Sequence, residues 1–219
     1  IECFPEKWKE FLQVANADII GLQEVKDDDP ERNVIETLTG LGYEYTFART
    51  EQVWAGKKYR HGPAIFSKFP IVHSEKIQLA GEDDDRAAAY AQINVNGSTL
   101  HVFSTHLIHT HQRLSEQQVG QTKKLIARLP PDRVIVTGDF NATPESASIQ
   151  AMKKVLVDTD PASTPTWSMY PKGCGKCNPQ RVDTKLDYIF VSRDLKADNF
   201  QVHQSRGSDH LPISVMLEV

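Results

Sequence analysis

Little in this sequence invites an explanation by crosslinks or membranes. Its three cysteines include one neighbouring pair, Cys174 and Cys177, and a remote Cys3. That is too few, and too oddly spaced, for a disulfide framework, so the redox compartment stays open. No apolar run approaches the roughly 18 residues that a membrane-crossing helix requires, and a soluble protein is expected. No charged-then-apolar leader stands at Ile1; a signal peptide is absent or already removed, and localisation is unassigned. Neither charge sign dominates. The formal net charge of -4 disfavours a protein that holds nucleic acid by bulk electrostatics, while leaving room for a local basic patch and for a nuclease. Repeats and low-complexity tracts are missing as well.

What is present is enough apolar material for one sizeable core. With 219 residues and 39% hydrophobic content, the chain needs no staples, and no linker divides it, so residues 1–219 read as a single, monomeric domain. Pro5, Trp8, Phe11, Leu12 and Ala15 have the spacing of an amphipathic helix ending near Asn16. ADIIGLQEV then reads as a buried strand. Val34, Ile35, Leu38 and Leu41 repeat the helical pattern before Gly40 and Gly42 stop it, and YEYTFAR has strand character.

From residue 63 to about 107 the pattern becomes consecutive antiparallel strands, PAIFSK, IVHSEKIQL, AAAYAQINV and TLHVFSTHL, with Asn96-Gly97 as a hairpin turn. A polar helix over roughly 111–129 ends at two prolines; the strand RVIVTGDF and the helix SIQAMKKVL follow. After a Pro-, Gly- and Thr-rich loop between 158 and 185, three strands through LDYIFVS, Phe200–Val202 and PISVMLEV close the chain. Strand runs punctuated by a few helices predict an α/β (α+β) arrangement, with sheets packed on each other and helices outside.

Residues able to do chemistry collect at the ends of these strands, where a rigid element delivers a side chain to an edge cleft. Gln23 and Glu24 end one strand, Thr105 and His106 another, and Asp139 and Asn141 a third; Asp187 opens a fourth, and Asp209 and His210 precede the last. Each alone has a plain structural reading: Asp139 and Asn141 as turn residues, Asp209 as a cap, Glu24 as a solvated strand end, His106 and His210 as satisfied structural histidines. Five such strand ends together suit one reaction. Carboxylates favour Mg²⁺ or Mn²⁺ over zinc, and hydrolysis of a phosphoester needs a cation, a carboxylate to activate water and a histidine to meet the phosphate.

The ordered set LQEV (22–25), STHL (104–107), GDFN (138–141), LDYIF (186–190) and SDHLPI (208–213) resembles the endonuclease/exonuclease/phosphatase superfamily over nearly the whole chain. The resemblance implies a DNase I-like four-layer sandwich, two packed mostly antiparallel β-sheets flanked by helices, and Mg²⁺-dependent phosphoester cleavage. It implies Glu24 and Asp209 as metal residues, Asp139 as the residue that positions or deprotonates water, and Asn141 as a donor to the phosphate. His210 stabilises the phosphate with Asp187 as its partner, His106 is a second histidine, and Arg86 a phosphate contact, a surface arginine being its alternative. Two departures accompany this. The family's first strand, with its metal-shell asparagine, has no counterpart before the first helix, so that strand lies outside this sequence or is lost. Pro63 stands where the family has a small polar residue.

Substrate identity stays open among nucleic acid, nucleotides, inositol phosphates and phospholipid head groups. Two basic, aromatic segments read as loops, WAGKKYRH (54–61) and WSMYPKGCGKCNPQR (167–181). They offer Lys57, Lys58, Arg60, Lys172, Lys176 and Arg181 to a phosphate, and Trp54, Tyr59, Trp167 and Tyr170 to a stacked partner. Cys174 and Cys177 have the spacing of half a zinc knuckle with no second pair, His203 being only a speculative completion, and a local disulfide or free thiols are equal alternatives. The acidic runs Asp27–Asp29 and Asp83–Asp85 read as solvated turns. Alternatives to the enzyme are a catalytically silent phosphate- or nucleic-acid-binding module of the same fold, and nucleic-acid binding through the two basic loops.

Overall fold

The computed structural model describes residues 16–29, 33–54, 57–79, 85–109, 115–167, 182–205 and 207–219. The helix expected over residues 5–16 and all three cysteines lie outside them. In chain order the elements are β1 (Ile19–Val25), α1 (Val34–Gly40), β2 (Glu44–Phe47), β3 (Thr50–Trp54), β4 (Lys57–Ser67), β5 (Ile71–Gln78), β6 (Ala87–Val95) and β7 (Ser98–His106). There follow α2 (Ser115–Ile126), β8 (Val134–Asp139), α3 (Ala147–Val155), β9 (Val157–Asp158), β10 (Asp187–Val191), β11 (Lys196–Val202) and β12 (Ile213–Glu218). One sheet runs β1-β4-β2 with β3 also on β4, a second runs β5-β6-β7-β8-β10-β9, and β11 pairs with β12.

Side-chain alternation turns these sheets into layers. In the larger sheet Tyr90, Phe103, Val136, Tyr188 and Phe190 face one way and pack with Leu125 of α2 and with Ile149 and Met152 of α3. Their neighbours Ala89, Ala91, Val102, Ile135, Ile189 and Val191 face the other way and meet Ile65 of β4, with Ile213, Val215 and Leu217 of β12 against the same cluster. On the far side of the smaller sheet, Ala64 and Phe66 cover Val34 and Leu38 of α1. Helix, sheet, sheet and helix therefore enclose three apolar interfaces, as the sequence predicts. Local signals agree: the Asn33 side chain accepts from Glu36 N at 3.1 Å to start α1, and Ser146 accepts from Ile149 N at 3.3 Å to start α3. Asn96 and Gly97, at φ 52° and 90°, make the tight β6–β7 turn.

One expectation, for residues 54–61, needs correction, and the pairing of β7 with β8 adds to the sequence reading. The antiparallel run ends at β7, which pairs parallel with β8 from His101↔Val134 to His106↔Asp139; a parallel neighbour requires a long crossover, and α2 supplies it. The basic segment 54–61 is not a loop, since β3 and β4 form an antiparallel ladder from Thr50↔His61 to Trp54↔Lys57. Across it Glu51 takes Lys58 at 2.6 Å and Arg60 at 3.6 Å. Of the acidic runs, Asp27 pairs with Arg49 and Asp85 meets Lys76 at 3.5 Å, while Asp83 and Asp84 fall outside the described residues. No described helix is long and apolar enough to cross a membrane.

The two sheets approach closely above the strand ends. A Cβ on Gly21 of β1 would fall on the Thr137 hydroxyl of β8, and Ser104 of β7 donates to the Leu22 carbonyl at 3.2 Å. Gly21→Val should therefore lower the thermal unfolding midpoint through overpacking that costs about 1–3 kcal/mol. Adding Thr137→Ala, which removes the obstructing hydroxyl, should recover part of the loss; strictly additive losses in the double variant would contradict this packing.

Candidate active site

Register brings three of the expected residues into one row. His106 lies opposite Asp139 across β7–β8, and Asp187 lies opposite Asp139 across β8–β10. All three share the parity of the residues that point between the sheets, and all stand at strand ends, so the row lies between the sheets at the edge of the sandwich. Gly138 makes the approach possible, because a Cβ there would collide with the Thr105 carbonyl of β7. Asp139 is buried, with 7% of its surface exposed. Its Oδ1 accepts from Asn141 N at 2.7 Å, while its Oδ2 lies 3.6 Å from His106 Nε2 and 3.7 Å from His210 Nε2.

A second line of contacts orients His210. Its Nδ1 is 2.8 Å from Asp187 Oδ2, which fixes the donor there because a carboxylate accepts. The same oxygen accepts from the Thr166 hydroxyl at 2.6 Å. Thr166 Oγ1 in turn accepts from Leu186 N at 3.2 Å and Asp187 N at 3.3 Å, and Trp167 lies 6.1 Å, ring to ring, from His210.

The two imidazoles take opposite charge states. Burial lowers the His106 pKa, and the positive charge of Arg86 and the neighbouring His61 and His210 lower it further, so His106 is neutral. Burial also works against a charged His210, but Asp187, Asp139 and the Asp187 hydrogen bond outweigh it and raise its pKa to about 10. Asp139 is pushed up to about 7, chiefly by burial and then by the charges of Asp187 and Glu24, against the pull of His210 and the Asn141 N–H.

The remaining candidates lie around this row. Glu24 sits at a register shift in β1 with φ 56°, and its charge reaches Asp139. Asp209 occupies the bend before β12, where its charge helps hold the His210 proton. Asn141, at φ 48°, uses one amide N–H on the Leu107 carbonyl at 2.9 Å and has a second for a ligand. Arg86 is buried at the head of β6, not on the surface, and its charge acts on His106. Ligand atoms of Asp139, Asp187 and His210 lie within 4.8 Å of one another, a group that could hold a metal ion.

Other sequence candidates are not brought here. His203 Nε2 is 2.7 Å from Ser214 Oγ of β12, and Cys174 and Cys177, its suggested companions in a zinc set, fall outside the described residues. Apart from Trp167, the basic segment 167–181 falls outside the described residues. Conversely, sequence reasoning missed Thr166 and His61. The His61 ring, buried in β4, lies edge-on to His106 at 6.4 Å. Neither had a signal, since Thr166 is 21 residues from its partner and His61 read as part of a basic loop.

Comparison with known proteins defines the class. The structure superposes on an endonuclease/exonuclease/phosphatase from Beutenbergia cavernae DSM 12333 with a TM-score of 0.80 and 22% identity, covering 97% of this chain and 65% of that one. It also superposes on D. rerio TDP2 complexed with single strand DNA product, with a TM-score of 0.70 and 19% identity over 96% of this chain and 89% of that one. The fold is thus DNase I-like. A curated relative, protein angel homolog 2 of Danio rerio, is 28% identical over 178 residues, 72% of this chain but only 30% of that protein. Residues 5–210 match the Endonuclease/Exonuclease/phosphatase family, and the chain belongs to it. Members of this family are phosphoester hydrolases.

The Asp139 pKa has a consequence for stability. Folding raises it, so the folded state keeps this proton to higher pH than the unfolded chain, and stability from this group falls as pH rises from the ordinary aspartate range towards about 7. Asp139→Asn should therefore melt above wild type at about pH 8 in metal-free buffer, with the difference vanishing towards about pH 4. A pH-independent difference, or a lower melting point at alkaline pH, would contradict the assignment.

Proposed function

We propose that this chain is a Mg²⁺-dependent hydrolase of phosphoester bonds, with Mn²⁺ able to substitute, and that residues 1–219 work as one domain. The observation that carries the reading is Asp139 Oδ2 placed between His106 Nε2 at 3.6 Å and His210 Nε2 at 3.7 Å. A carboxylate with a pKa of about 7 between two imidazoles suits a group that takes a proton from water at neutral pH. Asn141 N holds Oδ1, leaving Oδ2 to face the water. Cationic His210, oriented by Asp187, meets the charge that grows on the phosphate oxygens, and neutral His106 offers a hydrogen bond without competing for that charge. Arg86 and the second Asn141 N–H bind the phosphate.

The donor set fits a hard divalent cation. Burial together with the charges of Asp187 and Glu24 raises Asp139, a crowding of carboxylates that a cation relieves. We assign the cation to Glu24 and Asp209, whose charges act on Asp139 and His210, at the margin of the Asp139, Asp187 and His210 group that could itself contribute a ligand. When bound, the cation neutralises charge on the phosphate. The substrate is a phosphate ester, in a nucleic acid, a nucleotide, an inositol phosphate or a phospholipid head group; the TDP2 structure holds a single strand DNA product, which makes DNA the first ester to try.

Hydrolysis of an aryl phosphodiester should appear with Mg²⁺ and disappear with EDTA. Asp139→Ala and His210→Ala should each lower kcat by about 10²–10⁴-fold, the contribution of a positioned acid or base. Glu24→Gln should raise the half-saturating Mg²⁺ concentration by at least about 10-fold, the lower end for disturbing a metal's surroundings. Folded wild-type protein with no metal-dependent turnover on any of these ester classes would instead favour a silent binding module.

A further inference from the structure

Thr166 is the most completely used hydroxyl near the site, and no role attaches to it. It is fully buried. Its single O–H goes to Asp187 Oδ2 at 2.6 Å, and its two lone pairs take Leu186 N at 3.2 Å and Asp187 N at 3.3 Å. Its backbone belongs to the same arrangement: the Thr166 carbonyl accepts from Leu211 N at 2.8 Å, one residue past His210, and Thr166 N donates to the Thr184 carbonyl at 2.9 Å. One residue thus touches the Asp187 side chain, the Asp187 main chain and the backbone that carries His210.

The attachment behind it is equally closed. Trp167 and Thr184 form an isolated bridge, and the buried Lys185 ammonium lies 3.1 Å from both Asp158 and Asp160. The segment leading into Thr166 is therefore fixed to the segment leading into Asp187 on two sides. Asp187 Oδ2 is shared between Thr166 Oγ1 and His210 Nδ1, at 2.6 Å and 2.8 Å.

We infer that Thr166 is a positioning residue for the phosphate reaction: through Asp187 it sets the direction of His210 Nε2 toward Asp139. The inference rests on the function proposed above only for its kinetic consequence. Its structural content is a hydrogen-bonded chain from Thr166 through Asp187 to His210 that exists with or without turnover. A neutral hydroxyl suits the task, because it satisfies one carboxylate oxygen without competing for the proton that Asp187 holds on His210 Nδ1.

The test uses the intact protein and two readouts. In the first, a low-field imidazole N–H proton resonance, assigned to His210 by its loss in His210→Ala, is compared among wild type, Thr166→Val and Thr166→Ser without substrate. The resonance should persist in Ser and should shift upfield or broaden by exchange in Val. Thr166→Ala, which leaves room for a water to reach the two N–H groups, replaces Val should Val not fold. In the second, steady-state kinetics should show kcat reduced about 10–100-fold with KM nearly unchanged in the Val or Ala variant, recovery in Ser, and no further loss when Val is added to Asp187→Ala. An unchanged resonance in folded Val or Ala, its absence from wild type, or losses in the double variant that multiply would overturn the inference. A wild type with the resonance but no turnover would instead defeat the hydrolase reading and leave the positioning intact.

Discussion

The site depends on the pairing of β8 with its two neighbours. Parallel to β7 and antiparallel to β10, β8 brings Asp139 level with His106 on one side and Asp187 on the other. Because side chains alternate, a slip of one residue would turn Asp139 onto the helix-covered face and put glycine in the row. Two contacts oppose such a slip. Gly138 admits the Thr105 carbonyl, and Thr137 fills the space beside Gly21, so another residue at either glycine position would meet an occupied place. The chemistry is therefore fixed by backbone close to glycine, while Val134 and Val136 of β8 and Tyr188 and Phe190 of β10 work on the opposite face, against α2 and α3.

Given that row, charge follows from surroundings rather than from residue type. His106 and His210 are nearly equidistant from Asp139 Oδ2, yet one is neutral and the other protonated. His106 has Arg86 and His61 behind it, so burial and like charge act together. His210 has Asp187 on its other nitrogen and Asp209 beside it, and that negative charge overcomes the same burial. The surplus that keeps His210 charged also raises Asp139, so a basic carboxylate and a cationic imidazole are two results of one cluster.

Much of this was legible in the sequence, for a reason particular to strand proteins. GDFN and SDHLPI combine an apolar run, which marks a strand, with polar residues at its end, which mark the edge, so element and site are read together. The layer order also followed, because AAAYAQINV and TLHVFSTHL are long, turn-bounded runs. What did not follow were partnerships between distant segments. No pattern in RVIVTGDF announces a parallel neighbour, and nothing local ties Thr166 to Asp187. WAGKKYRH misled because its charge suggested a loop, whereas the cross-strand pairs with Glu51 suit a ladder. Surface arginine was a fair alternative for Arg86 until β6 placed it beneath the cleft.

Backbone irregularity in the smaller sheet completes the geometry. Leu22 and Val25 both face the α1 side although two residues, Gln23 and Glu24, lie between them, so the alternation shifts phase between the two. The extra residue turns Gln23 and Glu24 toward the larger sheet together: Gln23 Nε2 reaches Ser104 Oγ at 3.2 Å, and the Glu24 charge reaches Asp139. In a regular strand Glu24 would follow Ile20 and Leu22 under α1. Pro63 lies at the same level of β4. Its carbonyl accepts from Ala48 N at 2.9 Å but it has no N–H to return, and there β2 ends before β3 begins. Both neighbours of β4 thus lose regular pairing at one level, on one side through the bulge and on the other through the proline. A strand that carried only core would gain nothing from either. Here the bulge turns the Glu24 carboxylate away from the apolar face, so that its charge acts on Asp139, and the left-handed conformation of Glu24 belongs to that bulge.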